Sequence, residues 1–130
     1  MSRKNARECV FKMIFEYTFS KEKNVDTLEE FISDEENKEE IGYIQEVYNG
    51  VIEKYDELVN KISAVSKGFK IDRIYKIDLA ILLVALYEIL YIKGIPTNVS
   101  INEAINLSKI YSTDKSPSFI NGILSNFVGE

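Results

Sequence analysis

Residues 77–91, IDLAILLVALYEILY, decide the fold of this chain. They are apolar on nearly every side, with Asp78 near the start and Glu88 near the end as the only charges. Such a segment predicts a helix over residues 77–92, closed by Gly94, Ile95 and Pro96, that other helices must enclose. Behind the proline, SINEA at 100–104 opens a second helix, with Ser100 and Glu103 placed to form a capping box. Ser116 followed by Pro117 is the preferred N-cap and first-turn pairing for a last helix that carries FING at 119–122.

The first half reads as helix after helix. A helix over residues 3–19 has Ser2 as N-cap. A short second helix starts at Asp26 and runs through Leu28, Phe31 and Ile32. Ile41, Ile44, Val47 or Tyr48, Val51, Tyr55, Leu58 and Ile62 keep the spacing of one buried stripe, which predicts a long helix over about residues 38–63. Gly68 stops it, and residues 71–75 form a helical turn leading into the central helix. No segment alternates with period two. The expectation is an all-α fold of about seven helices, in two small helical subdomains packed around the central apolar helix, within a single domain of residues 1–130.

Composition bounds the function. At 130 residues and 45% aliphatic, aromatic and cysteine content, the chain can bury a substantial core. A lone cysteine, Cys9, excludes an internal disulfide, fits a reducing cytoplasm and reads as a small buried hydrophobe. Charges at Arg3, Lys4, Arg7, Glu8 and Lys12 argue against a signal peptide. The run from Leu79 to Tyr87 falls far short of the ~20 residues of a membrane span. There is no histidine, no Cys/His metal cluster and no phosphate-binding glycine loop, so catalysis, metal and cofactor are not expected. The net charge of −5 hides a division. Residues 21–60 hold thirteen acids against four lysines, whereas each end of the chain is slightly basic. Local phosphate neutralisation, not global charge, governs nucleic-acid affinity, so both ends can present positive surface. The Glu35–Glu40 run reads as a solvated helix face.

Helix 1 carries the clearest clue to a binding role. At 100° per residue, Ala6, Val10, Met13, Ile14 and Tyr17 share the core face. Arg3, Lys4 and Arg7 lie on a neighbouring stripe, with Phe11 and Phe15 beside them. Either other helices cover these rings, or they flank a basic surface able to take RNA or a protein partner. On that stripe Arg7 is expected to be exposed and replaceable at little cost to stability. A second basic cluster comes from Lys109, Lys115 and the turn STDKSPS. The backbone N–H groups from Ser116 to Phe119 offer a phosphate site, unless Ser116 uses them as a cap. Asp78 suits a helix N-terminus without any further role. Glu88, in an apolar helix, requires a partner. Asn102, Glu103 and Asn121 read as structural.

Four pieces in order, NARECVFKMIFEYTF, the apolar helix with its Pro break, INEA, and the basic loop with F-I-N-G, resemble the NusB family of bacterial transcription antitermination factors. The resemblance spans all but the stretch near residues 21–40. It implies a factor that binds a single-stranded, box A-type element of nascent ribosomal transcripts together with a small-subunit ribosomal protein, NusE, within an RNA polymerase antitermination complex. It places Arg3, Lys4, Arg7, Lys109, Lys115, Ser116 and Phe119 at the RNA, and Phe15, Asp72 and Asp78 at the partner protein. Some RNA methyltransferases carry a similar domain, but with the sequence ending at Glu130 a catalytic domain is not expected. Two features depart from the family. The SRKNAR arm is short and moderately basic, and Leu83 stands where an arginine is common. Both predict that useful RNA affinity needs the protein partner. The alternative is a helical protein-interaction module, or a homodimer that hides the helix 1 face.

Overall fold

The computed structural model of this chain describes residues 2–68 and 70–129, with the side chains of residues 35–37 left aside. Seven α-helices are present among the described residues: α1 (Arg3–Ser20), α2 (Val25–Ser33), α3 (Ile41–Glu53), α4 (Tyr55–Val65), α5 (Lys76–Tyr91), α6 (Thr97–Tyr111) and α7 (Ser116–Leu124). Short 3-10 turns occupy Glu35–Glu40, Ile71–Arg73 and Ser125–Phe127, and no described residue is in a strand.

Helix α5 is the axis. Every residue from Asp78 to Ile89 is buried. Helices α1, α3, α4, α6 and α7 all pack on it; α1 also packs on α3 and α3 on α4, while α6 packs on α7, giving two helical groups around one apolar rod. Helix α1 starts where the sequence says: Ser2 accepts the Asn5 N–H at 3.1 Å. Ala6, Val10, Met13 and Ile14 are buried, while Tyr17 and Cys9 are half-buried. Gly68 has φ +80°, the left-handed geometry a glycine takes freely, but it does not close the helix: α4 ends at Val65, with Ser66 as its C-cap. Gly50 is held by packing instead. A Cβ there would come within 2.3 Å of the Tyr87 ring, so α3 meets α5 at a glycine.

Three local expectations differ. The long helix is broken at Lys54 (φ −104°, ψ 20°), whose N–H bonds back to the Gly50 carbonyl while its own carbonyl starts α4. The break lets both halves of one apolar stripe, Val47 and Val51 before it and Leu58 and Ile62 after it, reach the core. Helix α2 opens one residue before Asp26, with Asn24 accepting the Thr27 N–H at 2.9 Å. Helix α6 begins at Thr97 rather than Ser100. The Pro96 carbonyl already accepts from the Val99 and Ser100 N–H groups, so Ser100 lies inside the first turn and the Ser100–Glu103 box does not form. Of the Glu35–Glu40 run, the first three side chains fall outside the described residues; Lys38 and Glu39 are exposed and Glu40 is not fully so.

Candidate RNA and partner surfaces

The buried charge of α5 organises one side of the molecule. Glu88 is fully buried and accepts four hydrogen bonds. Arg7 donates from Nε at 2.7 Å and from Nη2 at 3.0 Å, Tyr43 donates its hydroxyl at 2.5 Å and Ser100 donates Oγ at 2.9 Å. The requirement that Glu88 find a partner is met. Arg7 is the partner, and that corrects its expected place on an exposed stripe: it is 6% exposed. Burial opposes its charge, but the Glu88 carboxylate more than offsets this and holds the guanidinium pKa above its ordinary value. Burial and the same carboxylate push the Tyr43 hydroxyl pKa far up.

The rest of the helix 1 stripe divides. Lys4 is exposed. Arg3 is largely exposed but lies 4.3 Å over the Tyr43 ring and pairs with Glu40 at 2.6 Å. Phe11 is buried against Tyr111 of α6, with ring centroids 5.3 Å apart, so helices do cover it. Phe15 is half-buried and meets Phe19 edge-on at 5.1 Å. Phe19 itself is 63% exposed, with Lys76 Nζ 6.0 Å from its ring.

The α6–α7 turn gathers most of the remaining candidates. Asp78, Lys115, Ser116 and Phe119 line an open groove of about 330 Å³ together with Arg73, Ile74, Tyr75 and Thr113. Lys115 and Lys109 are exposed, Phe119 is half-buried and Asp72 is exposed on the turn before α5. Two expectations change here. Asp78 is 3% exposed, and its carboxylate accepts from Ser112 Oγ at 2.6 Å and Ser116 Oγ at 2.9 Å, so it does not stand at the surface ready for a partner. Ser116 is 1% exposed, and its hydroxyl faces Asp78 rather than capping α7. The phosphate site at that helix start is mostly spent. Ser116 N–H bonds to Thr113, Pro117 has no N–H, and Phe119 N–H bonds to Lys115, leaving Ser118 among the four. Asn102 and Asn121 are exposed rather than bridging helices.

Several side chains on these surfaces were not singled out from sequence. Lys12 is exposed and sits 5.4 Å from the Tyr111 ring, and its pKa is raised chiefly by the Tyr111 hydroxyl. Tyr75, 63% exposed, and Arg73 enter the groove from an irregular segment where periodicity has nothing to mark.

The fold places the chain in a class, all-α proteins wound about a single apolar helix, with basic and aromatic groups on α1, on the end of α6 that it touches and on the α6–α7 turn. The model of the NusB family matches residues 4–129. A transcription antitermination protein NusB of Thermoanaerobacter sp. (strain X514) is 42% identical over 128 residues, 98% of this chain and 91% of the relative. Its counterpart of the same name in Alkaliphilus oremlandii (strain OhILAs) is 44% identical over 131 residues, covering 98% and 94%. Among solved structures, T. maritima NusB matches with a TM-score of 0.89 at 32% identity, over 100% of this chain and 92% of the other. A chain from the complex of antitermination factors NusB and NusE with dsRNA shares the fold, with a TM-score of 0.83 at 21% identity over 96% and 94%. The chain belongs to the NusB family.

Proposed function

We propose that this chain is a transcription antitermination factor that binds a single-stranded, box A-type RNA element of nascent ribosomal transcripts together with the small-subunit ribosomal protein NusE. Residues 1–130 act as one RNA-binding domain, in the cytoplasm and by binding rather than catalysis; the absence of any histidine supports the last point. The observation that carries the reading is the α1–α6 contact. It sets Lys12 over Tyr111, 99 positions apart in sequence, and so joins the basic face of α1 to the α6 end that carries Lys109 and leads to Lys115. Lys4, Lys12, Lys109 and Lys115 supply phosphate neutralisation, and Phe119 a ring beside it. Arg7 is reassigned from RNA contact to holding α1 on α5.

The partner face lies on the other flank of α1. Phe15 supports the exposed Phe19, which faces the start of α5, and Asp72 is exposed nearby in sequence. An exposed aromatic ring with a carboxylate at the rim suits a basic ribosomal protein. Asp72, not the buried Asp78, supplies that charge.

Titration of labelled box A-type RNA at several salt concentrations, with and without the ribosomal partner, tests the reading. The expected result is an affinity that falls as salt rises and that tightens with the partner. A Lys4→Ala/Lys12→Ala double variant should bind more weakly, with a shallower salt slope and unchanged melting. RNA binding that is absent or indifferent to salt would favour a protein-interaction module or homodimer.

A further inference from the structure

We propose that Asp78 is a positioning residue: its buried carboxylate sets the shape of the α6–α7 turn and thereby the presentation of Lys115 and Phe119 to RNA. The inference rests on the reading of that turn as an RNA edge. One carboxylate grips both ends of the turn, since Ser112 immediately follows α6 and Ser116 opens α7. Each serine hydroxyl has a single proton, and the short contacts of 2.6 and 2.9 Å to Oδ1 and Oδ2 direct both protons at Asp78. The Ser116 oxygen is then left as an acceptor, and it takes the Thr113 N–H at 3.2 Å and the Thr113 hydroxyl at 2.9 Å. The chain of bonds therefore runs from α5, through Ser116, into the backbone of the turn itself. Lys115 immediately precedes the fixed Ser116–Pro117 start and Phe119 follows it by two residues, both lining the same groove.

A carboxylate suits this task because it only accepts, and from several donors at once. Asparagine offers one acceptor oxygen and an NH2 donor, so one serine would have to turn its proton elsewhere and take the amide N–H on its oxygen, which re-orders the bonds of the turn. The sign of the effect separates this role from plain electrostatics. An anion near RNA repels phosphate, so neutralising it should tighten binding. A positioning anion does the reverse.

The test measures binding of a labelled single-stranded box A-type RNA to the full chain with its ribosomal partner, in parallel with far-ultraviolet circular dichroism. Lys115→Ala should weaken binding about threefold to tenfold. Asp78→Asn and Ser112→Ala should weaken it about as much, and Asp78→Asn/Lys115→Ala by less than the product of the two single losses, because misplacing a lysine and deleting it are not additive. Ser112→Ala removes the bond to Asp78 and the 2.9 Å contact with the Ser116 hydroxyl from a half-buried site, and carries the test if Asp78→Asn fails to fold. Unchanged or tighter binding by folded Asp78→Asn or Ser112→Ala, or an additive loss in the double variant, would overturn the inference while a loss in Lys115→Ala left the RNA edge standing. Unchanged binding by Lys115→Ala would remove the RNA edge, and this inference with it.

Discussion

Helix α5 carries two buried carboxylates ten positions apart, and they are satisfied in opposite ways. Glu88 gathers donors from α1, α3 and α6, residues 81, 45 and 12 positions away, and a guanidinium among them neutralises its charge in place. Asp78 gathers two neutral hydroxyls that flank one turn. The first therefore ties the global arrangement of helices, and the second shapes a local surface without cancelling its own charge. A buried ion pair is costly to break from one side, because the surviving charge has no water to return to. A carboxylate bonded to hydroxyls beside an open groove has a cheaper escape.

The largest expected effect is a stability loss on breaking the first site. Glu88→Ala strands the Arg7 cation together with the Tyr43 and Ser100 hydroxyls, and should cost about 3–5 kcal/mol in chemical denaturation. A loss below about 1 kcal/mol would erase the contrast between the two carboxylates. Asp78→Asn should cost less, about 1–2 kcal/mol, because one hydrogen bond is weakened and no cation is abandoned.

Of the two carboxylate sites, alkaline pH probes the first, through Tyr43. The Tyr43 pKa is raised above its ordinary 10.0, first by burial and then by Glu88, so the folded chain keeps a proton that the unfolded chain releases. That contribution is whole below pH 10 and drains away as pH rises beyond it. Melting temperatures of the wild type should fall through this range, and Tyr43→Phe should fall less steeply. Parallel curves would place the alkaline loss elsewhere, with Cys9, whose thiol burial pushes up from 9.0, and Tyr48 and Tyr87, whose hydroxyls burial pushes up from 10.0, the next groups to test.

The smallest stability effect belongs to an ion pair at the surface. Glu40→Gln frees the largely exposed Arg3 and should change stability by no more than about 0.5 kcal/mol. RNA affinity should nevertheless rise at low salt, since Glu40 occupies a guanidinium that phosphate would otherwise take. Equal affinity in a filter-binding assay would take Arg3 out of the RNA surface.

Sequence by itself determined the helices and the axis. A run as apolar as residues 77–91 has one stable solution in water, enclosure, and the Ser2 cap acts through its immediate neighbours, which any reader of the chain can see. It also required that Glu88 have a partner. Only the tertiary structure decided which one, because Arg7 is 81 positions away and helical periodicity placed it on the edge of the apolar face, where a quarter-turn of packing separates solvent from core. For the same reason Phe11 was covered by a ring from α6, the long stripe over residues 38–63 broke at Lys54 to keep both halves on α5, and Ser100 and Ser116 gave up their expected caps. A serine hydroxyl bonds the strongest acceptor within reach, and the buried carboxylates of α5 became that acceptor when the helices closed around it.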